Sequence, residues 1–362
     1  MKILYLLFSF TTGGTEHLVS DICNEMVKRN NDVHLYIVND LYDESMLRLL
    51  NHKVHVFLQK RRVGSLDKLS AVWQLTKYIR RNKIEVVHCN ALMTPQLLLL
   101  KPLLFRKVKV VHTVHGVGQY EHLKKWDIAL RNKLCDNIIA ISKAVQKDII
   151  QAGADPSKVI LVYNAIDVGK FNPETERKFK PNRVVIGNVA RFVPEKKGQN
   201  ILLKAVALLQ KKYPDIQCYF AGGPDIDHQS AFIQFKNEVH SLKLDQNIHL
   251  LGNIEDVTAF LKKIDIFVLP SQSEGFGISL VEAMAMEIPC IASNLYGPVE
   301  VLENGKRGIL FEVENITELT KKIDIMIKNY PEYKKIAKEN RLYVQQRFGI
   351  KTMTDKLIAI YK

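Results

Sequence analysis

Two glutamates, Glu274 and Glu282, flank a glycine-rich turn in the second half of the chain. The apolar run 264–269 has the pattern of a buried strand, and a helical pattern begins near Ser279, which is the predicted N-cap. A helix N-terminus directs backbone N–H groups and a positive dipole end at the space above the turn, which favours a phosphate. The carboxylates can accept hydrogen bonds from hydroxyl groups of the same ligand. The segment therefore predicts a site for a phosphorylated, hydroxyl-rich molecule.

Two cations form a second candidate set. Arg191 follows the strand-like run 184–190, and Lys197 precedes a helix that is predicted to begin near Gly198. A guanidinium offers a planar fork of donors and an ammonium offers a point charge. Placed together beside a helix N-terminus, the two side chains are suited to cradle a diphosphate. Taken without the rest of the chain, both residue types are also common on ordinary surfaces.

The elements that must position these residues alternate between short apolar runs and longer helical patterns. Such alternation predicts an α/β protein with parallel sheets covered on both faces. A polar segment with two prolines, 168–183, interrupts the alternation, which then restarts. We therefore predict two doubly wound, Rossmann-like domains that face a cleft. The strand-like runs are 3–8, 32–38, 53–57, 84–89, 108–113, 137–142, 159–163, 184–190, 216–222, 247–251, 264–269 and 288–293.

The predicted domains are an N-terminal domain at 1–170, a linker at 171–182 and a C-terminal domain at 183–345. A final helix within 346–362 is expected to pack back on the N-terminal domain. Ligands of doubly wound sheets bind beyond the carboxyl ends of the strands, and glycine turns occur at those positions in both halves. These turns contain Gly13, Gly14, Gly116, Gly222, Gly223, Gly275 and Gly277.

The net charge of +14 is concentrated in the first half of the chain. Residues 1–180 contain 28 Lys and Arg against 17 Asp and Glu, whereas residues 181–362 contain 24 against 21. A basic, partly amphipathic surface suits an anionic membrane face or nucleic acid, and it is equally typical of an ordinary solvated face. No nucleic-acid-binding motif accompanies it. The basic and apolar residues involved are Lys60, Arg61, Arg62, Leu66, Lys68, Leu69, Trp73, Lys77, Ile79, Arg80 and Arg81.

Several motifs, taken in chain order, resemble those of retaining glycosyltransferase family 4, a group of enzymes with the B-type glycosyltransferase fold. The resemblance spans essentially the whole chain, and the combination of Glu-x7-Glu with the Arg/Lys pair is its most specific part. The motifs are Gly13-Gly14-Thr15-Glu16, Thr113-Val114-His115-Gly116, Asn164-Ala165-Ile166-Asp167, Arg191 to Gly198, Glu274 to Glu282 and Gly297-Pro298-Val299-Glu300.

The resemblance implies roles for individual residues. Arg191 and Lys197 would neutralise the diphosphate of a nucleotide-sugar donor, Glu274 would bind sugar hydroxyls, and His115 would lie beside the donor sugar. Glu282 would bind the ribose diol. The remaining implied donor-binding residues are Gly13, Gly14, Gly222, Gly275, Phe276, Gly277 and Glu300, although Glu300 departs from the usual order of its motif.

The resemblance also implies retention at the anomeric carbon, without a metal or other cofactor. Asp225-Ile226-Asp227 matches an Asp-x-Asp metal motif, but its place in the second domain argues against metal binding. The pairs His112/His115 and His52/His55 lack a third ligand at a plausible spacing, so a zinc site is not expected. The expected partners are a nucleotide-sugar donor, a saccharide or lipid-linked saccharide acceptor and an anionic membrane surface, without nucleic acid.

Two alternatives remain open at this point. An NAD(P)-dependent oxidoreductase also has doubly wound domains, but no Gly-x-Gly-x-x-Gly follows a strand. A non-catalytic membrane- or nucleic-acid-binding protein explains the charge but leaves the Arg/Lys/Glu set unexplained. We expect a UDP-sugar donor, an acceptor of envelope or capsular polysaccharide assembly, and a cytoplasmic protein with reduced core cysteines that is peripheral on the membrane.

Overall fold

A computed structural model describes residues 1–62, 68–173, 178–224 and 226–362. Leu66 and Asp225, which the sequence analysis singled out, lie outside the described residues, as does part of the predicted linker 171–182. The chain divides into two compact units. Unit 1 comprises Met1–Ile166 and Ile350–Lys362, and unit 2 comprises Asp167–Gly349.

Unit 1 contains a seven-stranded sheet with helices between its strands. Its strands are β1 (Lys2–Leu7), β2 (Asp32–Asn39), β3 (His55–Arg61), β4 (Val86–Cys89), β5 (Lys109–Val114), β6 (Asn137–Ala140) and β7 (Val159–Leu161). Its helices are α1 (Gly14–Lys28), α2 (Glu44–Arg48), α3 (Lys68–Arg81), α4 (Lys101–Leu104), α5 (Lys125–Leu134), α6 (Lys143–Gln151) and, from the chain's end, α15 (Ile350–Tyr361).

Unit 2 contains a six-stranded sheet. Its strands are β8 (Val185–Val189), β9 (Gln217–Ala221), β10 (Ile248–Gly252), β11 (Ile266–Leu269), β12 (Cys290–Ser293) and β13 (Ile309–Phe311). Its helices are α7 (Pro194–Lys197), α8 (Gln199–Gln210), α9 (Gln229–Ser241), α10 (Val257–Leu261), α11 (Ile278–Ala285), α12 (Tyr296–Val301), α13 (Ile316–Lys328) and α14 (Tyr330–Phe348). Every predicted strand is present, and β13, which spans only three residues, was not predicted.

Both sheets are parallel and doubly wound, as the sequence predicts. The strand order is β3-β2-β1-β4-β5-β6-β7 in unit 1 and β10-β9-β8-β11-β12-β13 in unit 2. The order reverses between β1 and β4 in the first sheet and between β8 and β11 in the second. Loops diverge at such a switch point and leave a crevice at the carboxyl ends of the strands, where ligands of this fold class bind.

The helix α15 (Ile350–Tyr361) belongs to unit 1, where it packs against α1. A buried hydrogen-bond network anchors its end: the Tyr361 hydroxyl lies 2.5 Å from His88 Nδ1 and 3.3 Å from the Tyr5 hydroxyl. His88 Nε2 in turn lies 2.6 Å from Thr113 Oγ1. Burial of these polar groups is compatible with stability because each has a partner. Helix α14, which precedes α15, remains in unit 2.

The five cysteines are buried and unpaired, as expected for core thiols. Among the described residues, no helix combines the length and the apolar character needed to cross a bilayer.

Candidate active site

The predicted cations and Glu274 follow the two strands that flank the switch point of unit 2. Arg191 and Lys197 follow β8, and Glu274 follows β11, its direct neighbour in the sheet. The carboxyl ends of parallel neighbours lie at the same edge, so segments that are 77 residues apart in sequence become adjacent. The fold therefore places the candidate residues at the position where doubly wound sheets bind ligands.

Lys197 and Glu274 form an ion pair. Lys197 Nζ lies 2.8 Å from Glu274 Oε2, and both side chains are partly buried. In the described part of the chain Glu274 Oε1 takes no hydrogen bond, and this oxygen can accept one from a ligand hydroxyl. The pair thus fixes the carboxylate and leaves the cation beside it, an arrangement that suits a ligand with both hydroxyl and anionic groups.

Backbone contacts between α7 and the loop after β11 hold this pair. The N–H groups of Gln272 and Ser273 donate to the Lys196 carbonyl oxygen at 2.8 and 3.2 Å. Gly198 separates α7 from α8 with φ +67°, a conformation that favours glycine, and a Cβ there would lie 2.0 Å from the Pro270 carbonyl oxygen. The close approach of the two backbones therefore depends on glycine at position 198.

The turn before α11 differs from the prediction in its cap. Ser279 is not the N-cap: the helix begins at Ile278, and Gly277 occupies the N-cap position with φ +96°. A left-handed residue at the cap turns the chain sharply out of β11, and glycine adopts it without a Cβ penalty. The first N–H groups of α11 still lack intrahelical acceptors, so the predicted anion-binding character of the turn is retained.

A second helix packs directly on this turn. A Cβ on Gly297, in the first turn of α12, would lie 2.4 Å from Phe276 Cα and 2.6 Å from the Gly275 carbonyl carbon. The Phe276 ring is buried edge-on against Phe348, with ring centroids 5.3 Å apart. The backbone of the turn is therefore fixed by packing on both sides. This places Gly297 among the residues that shape the site, a role that the sequence motif did not indicate.

The remaining predicted residues of unit 2 surround this core. Arg191 has an exposed side chain, and its carbonyl oxygen accepts a 2.9 Å hydrogen bond from Gln199 Nε2. Gly222 follows β9 with φ +124°, and a Cβ there would lie 1.9 Å from the Ala190 carbonyl oxygen. Glu282 lies in α11 and Glu300 in α12, both partly buried. Of the predicted side chains of this unit, the structure brings Lys197 and Glu274 into direct contact.

Ser271 is a candidate that the sequence reasoning missed. It lies in the loop between β11 and Glu274 and is fully buried, and its hydroxyl oxygen has no hydrogen-bond partner among the described residues. A buried unpaired hydroxyl is costly unless a ligand or water satisfies it. Serine is common in loops, so no sequence signal separated Ser271 from its neighbours.

In unit 1, the predicted residues lie at the carboxyl ends of β1 and β5. Gly13 is the extended N-cap of α1, with φ −171°, and Gly14 is the first residue of that helix. His115 directly follows β5, and both of its ring nitrogens are buried without a hydrogen-bond partner among the described residues. Burial lowers the pKa of His115 to about 4. The imidazole is therefore neutral at pH 7 and can both donate and accept.

Two family models together match nearly the whole chain. One, described as Glycosyltransferase Family 4, matches residues 12–170, and the other, described as Glycosyl transferases group 1, matches residues 171–343. The chain belongs to this glycosyltransferase family. The match decides against the oxidoreductase and the non-catalytic alternatives, and it agrees with the resemblance seen in the motifs.

Relatives whose names state a function are distant in sequence. The chain is 23% identical to CapM, a capsular polysaccharide biosynthesis glycosyltransferase of Staphylococcus aureus, over 92% of this chain and 90% of that protein. It is 25% identical to the UDP-Gal:alpha-D-GlcNAc-diphosphoundecaprenol alpha-1,3-galactosyltransferase of Escherichia coli, over 83% and 81% of the two chains.

Among solved structures, Anabaena Alr3699/HepE in complex with UDP and glucose superposes with a TM-score of 0.84 at 24% identity, covering 99% of each chain. The likeness shows the fold, which is the B-type glycosyltransferase fold predicted from the motifs.

Proposed function

We propose that this glycosyltransferase moves a sugar, with retention, from a UDP-sugar donor to a lipid-linked saccharide in cell-envelope or capsular polysaccharide assembly. The observation that carries the proposal is the Lys197–Glu274 ion pair beside the N-terminus of α11. It combines a cation and helix N–H groups for a diphosphate with a carboxylate for sugar hydroxyls. The Escherichia coli galactosyltransferase uses UDP-Gal and a diphosphoundecaprenol acceptor, and Alr3699/HepE binds UDP and glucose, which supports a UDP-sugar donor and a lipid diphosphate as the acceptor carrier.

In the proposed reaction the bond between the anomeric carbon and the donor phosphate oxygen breaks as the acceptor oxygen bonds to the anomeric carbon on the same face. Arg191, Lys197 and the N–H groups of α11 stabilise the negative charge that develops on the leaving diphosphate. The leaving phosphate oxygen takes the proton of the acceptor hydroxyl. Glu274 is already paired with Lys197, so its role is to orient the sugar rather than to attack it. His115 keeps the role that the family resemblance implies, and its neutral imidazole can donate a hydrogen bond.

The direct test is incubation of the purified protein with UDP-, GDP- and ADP-sugars, first by thermal shift and then by transfer assay. We expect a UDP-sugar to raise the melting temperature most. NMR of the product should show the same anomeric configuration as in the donor. An inverted product would contradict the proposed mechanism, and preferential binding of a GDP- or ADP-sugar would contradict the donor class.

Transfer is expected to be independent of divalent metal. Two cations and a helix N-terminus already offset the diphosphate charge, so the reaction does not require a bound ion for this purpose. The measurement is the transfer rate before and after exhaustive EDTA treatment, with expected equality. Loss of activity that manganese restores would contradict the prediction and direct attention to Asp227, which lies near the carboxyl end of β9.

We also expect the exposed face of α3 to bind reversibly to an anionic membrane. On α3, Leu69 is 85% exposed and Trp73 is 59% exposed, and their spacing of four residues places them on one helix face. Ile79, by contrast, is buried in the core and does not contribute to this surface. Each nearby basic residue adds about 1 kcal/mol of attraction to an anionic surface.

Liposome flotation tests this expectation. Binding should require anionic lipid and fall steeply with added salt, because the attraction is screened within a Debye length. It should weaken when Lys77, Arg80 and Arg81 become glutamine, whereas the same change at three exposed lysines of unit 2 should leave it unaltered. Equal binding to neutral vesicles would contradict the electrostatic argument. The control lysines are Lys211, Lys243 and Lys335.

A further inference from the structure

Three side chains with metal-ligating atoms meet at the end of the unit 1 sheet where the strands begin, here called the amino edge. Asp32 and His34 are alternate residues of β2, so they project from the same face of the sheet. His55 of β3 pairs directly with His34 in the parallel register. Their ligating atoms all lie within 4.8 Å of one another. This edge is opposite to the one that carries Gly13, Gly14 and His115.

The distances within this group suit a small divalent ion. His34 Nε2 lies 3.2 Å and His55 Nε2 lies 3.4 Å from the same oxygen, Asp32 Oδ1. Zinc binds nitrogen and oxygen ligands at about 2.0–2.2 Å in tetrahedral geometry, which places neighbouring ligand atoms roughly 3.3 Å apart. Both histidine-to-carboxylate separations therefore already match a tetrahedral site. The ligating nitrogens of His34 and His55 lie within 4.8 Å of each other, and the His55 side chain, which is 63% exposed, has room to rotate toward the ion.

Outer contacts orient two of the three ligands. His34 Nδ1 lies 2.9 Å from the Tyr78 hydroxyl, and Lys2 Nζ lies 3.2 Å from Asp32 Oδ2. Such partners fix the ring and carboxylate orientation of metal ligands. They leave His34 Nε2 and Asp32 Oδ1 directed toward His55. His34 is only 5% exposed, and its Nε2 faces the Asp32 carboxylate at 3.2 Å.

We propose that Asp32, His34 and His55 bind a divalent transition metal ion of the zinc class, with the fourth coordination position open to solvent. The lone pairs of both imidazole rings and of Asp32 Oδ1 converge on one point, which is the arrangement a metal ion requires. Two imidazoles and one carboxylate are a ligand set that zinc uses in proteins. The exposed His55 gives the ion a path from solvent. The bound ion links the edge strand β3 to β2 and stabilises unit 1, independently of sugar transfer.

Isothermal titration of the EDTA-treated, dialysed full-length protein with zinc chloride tests the proposal. We expect one zinc ion per chain. His55→Ala should weaken binding by more than the roughly 10- to 100-fold that loss of an outer partner costs, and Tyr78→Phe should weaken it within that range. His52→Ala is the matched control, because His52 is exposed three residues away and lies outside the cluster. It should bind zinc as the unaltered protein does.

Cobalt provides an independent readout. Co²⁺ in place of zinc should give the visible absorption of a tetrahedral nitrogen- and oxygen-ligated ion, and this absorption should disappear in Asp32→Asn and His55→Ala. Both changes affect partly or fully exposed side chains, and circular dichroism will confirm that the variants fold. Equal zinc affinity in the protein and in His55→Ala, or no binding at one equivalent, would overturn the proposal. Either outcome leaves the proposed transferase function untouched.

Discussion

Replacing Lys197, Arg191 or Glu274 with alanine is expected to reduce sugar transfer by roughly thirty- to several-thousand-fold without unfolding the protein. Removing one partner of a desolvated charge pair costs on the order of 2–5 kcal/mol, which corresponds to that range of rates. For Arg191, which is exposed in the free protein, the partner is the diphosphate of the proposed donor. Lys197→Ala leaves Glu274 without its 2.8 Å partner, and Glu274→Ala does the reverse. The measurement is the steady-state transfer rate with the nucleotide-sugar that the thermal-shift screen selects.

Lys196→Ala is the matched control for this prediction. Lys196 is an exposed neighbour of Lys197, and its contribution to the loop is the backbone carbonyl, which alanine retains. The control should transfer at close to the normal rate. A double-mutant cycle over Lys197 and Glu274 should show strong non-additivity, since the two side chains are in contact. Near-normal turnover of Lys197→Ala or Arg191→Ala would contradict the assigned roles.

Gly198→Ala is expected to lower the free energy of unfolding by about 2–5 kcal/mol. A left-handed conformation costs an L-residue about 1–2 kcal/mol, and forcing extra atoms into a packed site adds about 1–3 kcal/mol. The new Cβ would overlap the Pro270 carbonyl oxygen, so the loop that carries Glu274 must move. Transfer should fall roughly 100-fold in addition, the effect of a displacement of about 1 Å at a reacting centre.

Gly252→Ala separates the cost of the left-handed backbone conformation from the cost of steric overlap. Gly252 has nearly the same φ, +65°, but a Cβ there would meet nothing within 4 Å. Urea unfolding should therefore show only the conformational cost at Gly252, about 1–2 kcal/mol, with transfer retained. If the two variants are equally stable and equally active, the close approach at Gly198 does not position the site.

The sequence by itself determined the fold class, every strand except the three-residue β13, and the family, because these depend on local patterns. Apolar runs separated by helical patterns identify parallel strands, and a glycine turn after a strand marks its carboxyl end. The positions of Arg191, Lys197 and Glu274 at the ends of β8 and β11 follow from such patterns. Their chemical types then indicate a diphosphate and a sugar.

Only the tertiary structure decided which residues touch. The Lys197–Glu274 pair joins residues that the order of strands, not the spacing in sequence, makes neighbours. The burial of the Ser271 hydroxyl likewise depends on the packing of the loop after β11 and could not be predicted from the sequence. The helix α11 begins after Gly277 and not at the predicted Ser279. Its start is set by the left-handed backbone conformation of Gly277, and no side chain caps it by a hydrogen bond.

The cluster of Asp32, His34 and His55 at the amino edge also could not be predicted from sequence spacing. From sequence spacing, His52 and His55 formed a possible zinc-binding pair that lacked a third ligand. Strand register instead sets His55 beside His34, and the two-residue period of β2 brings Asp32 to the same face. Contacts of this kind depend on which strands pair and in which register, and the packing of the whole sheet fixes both.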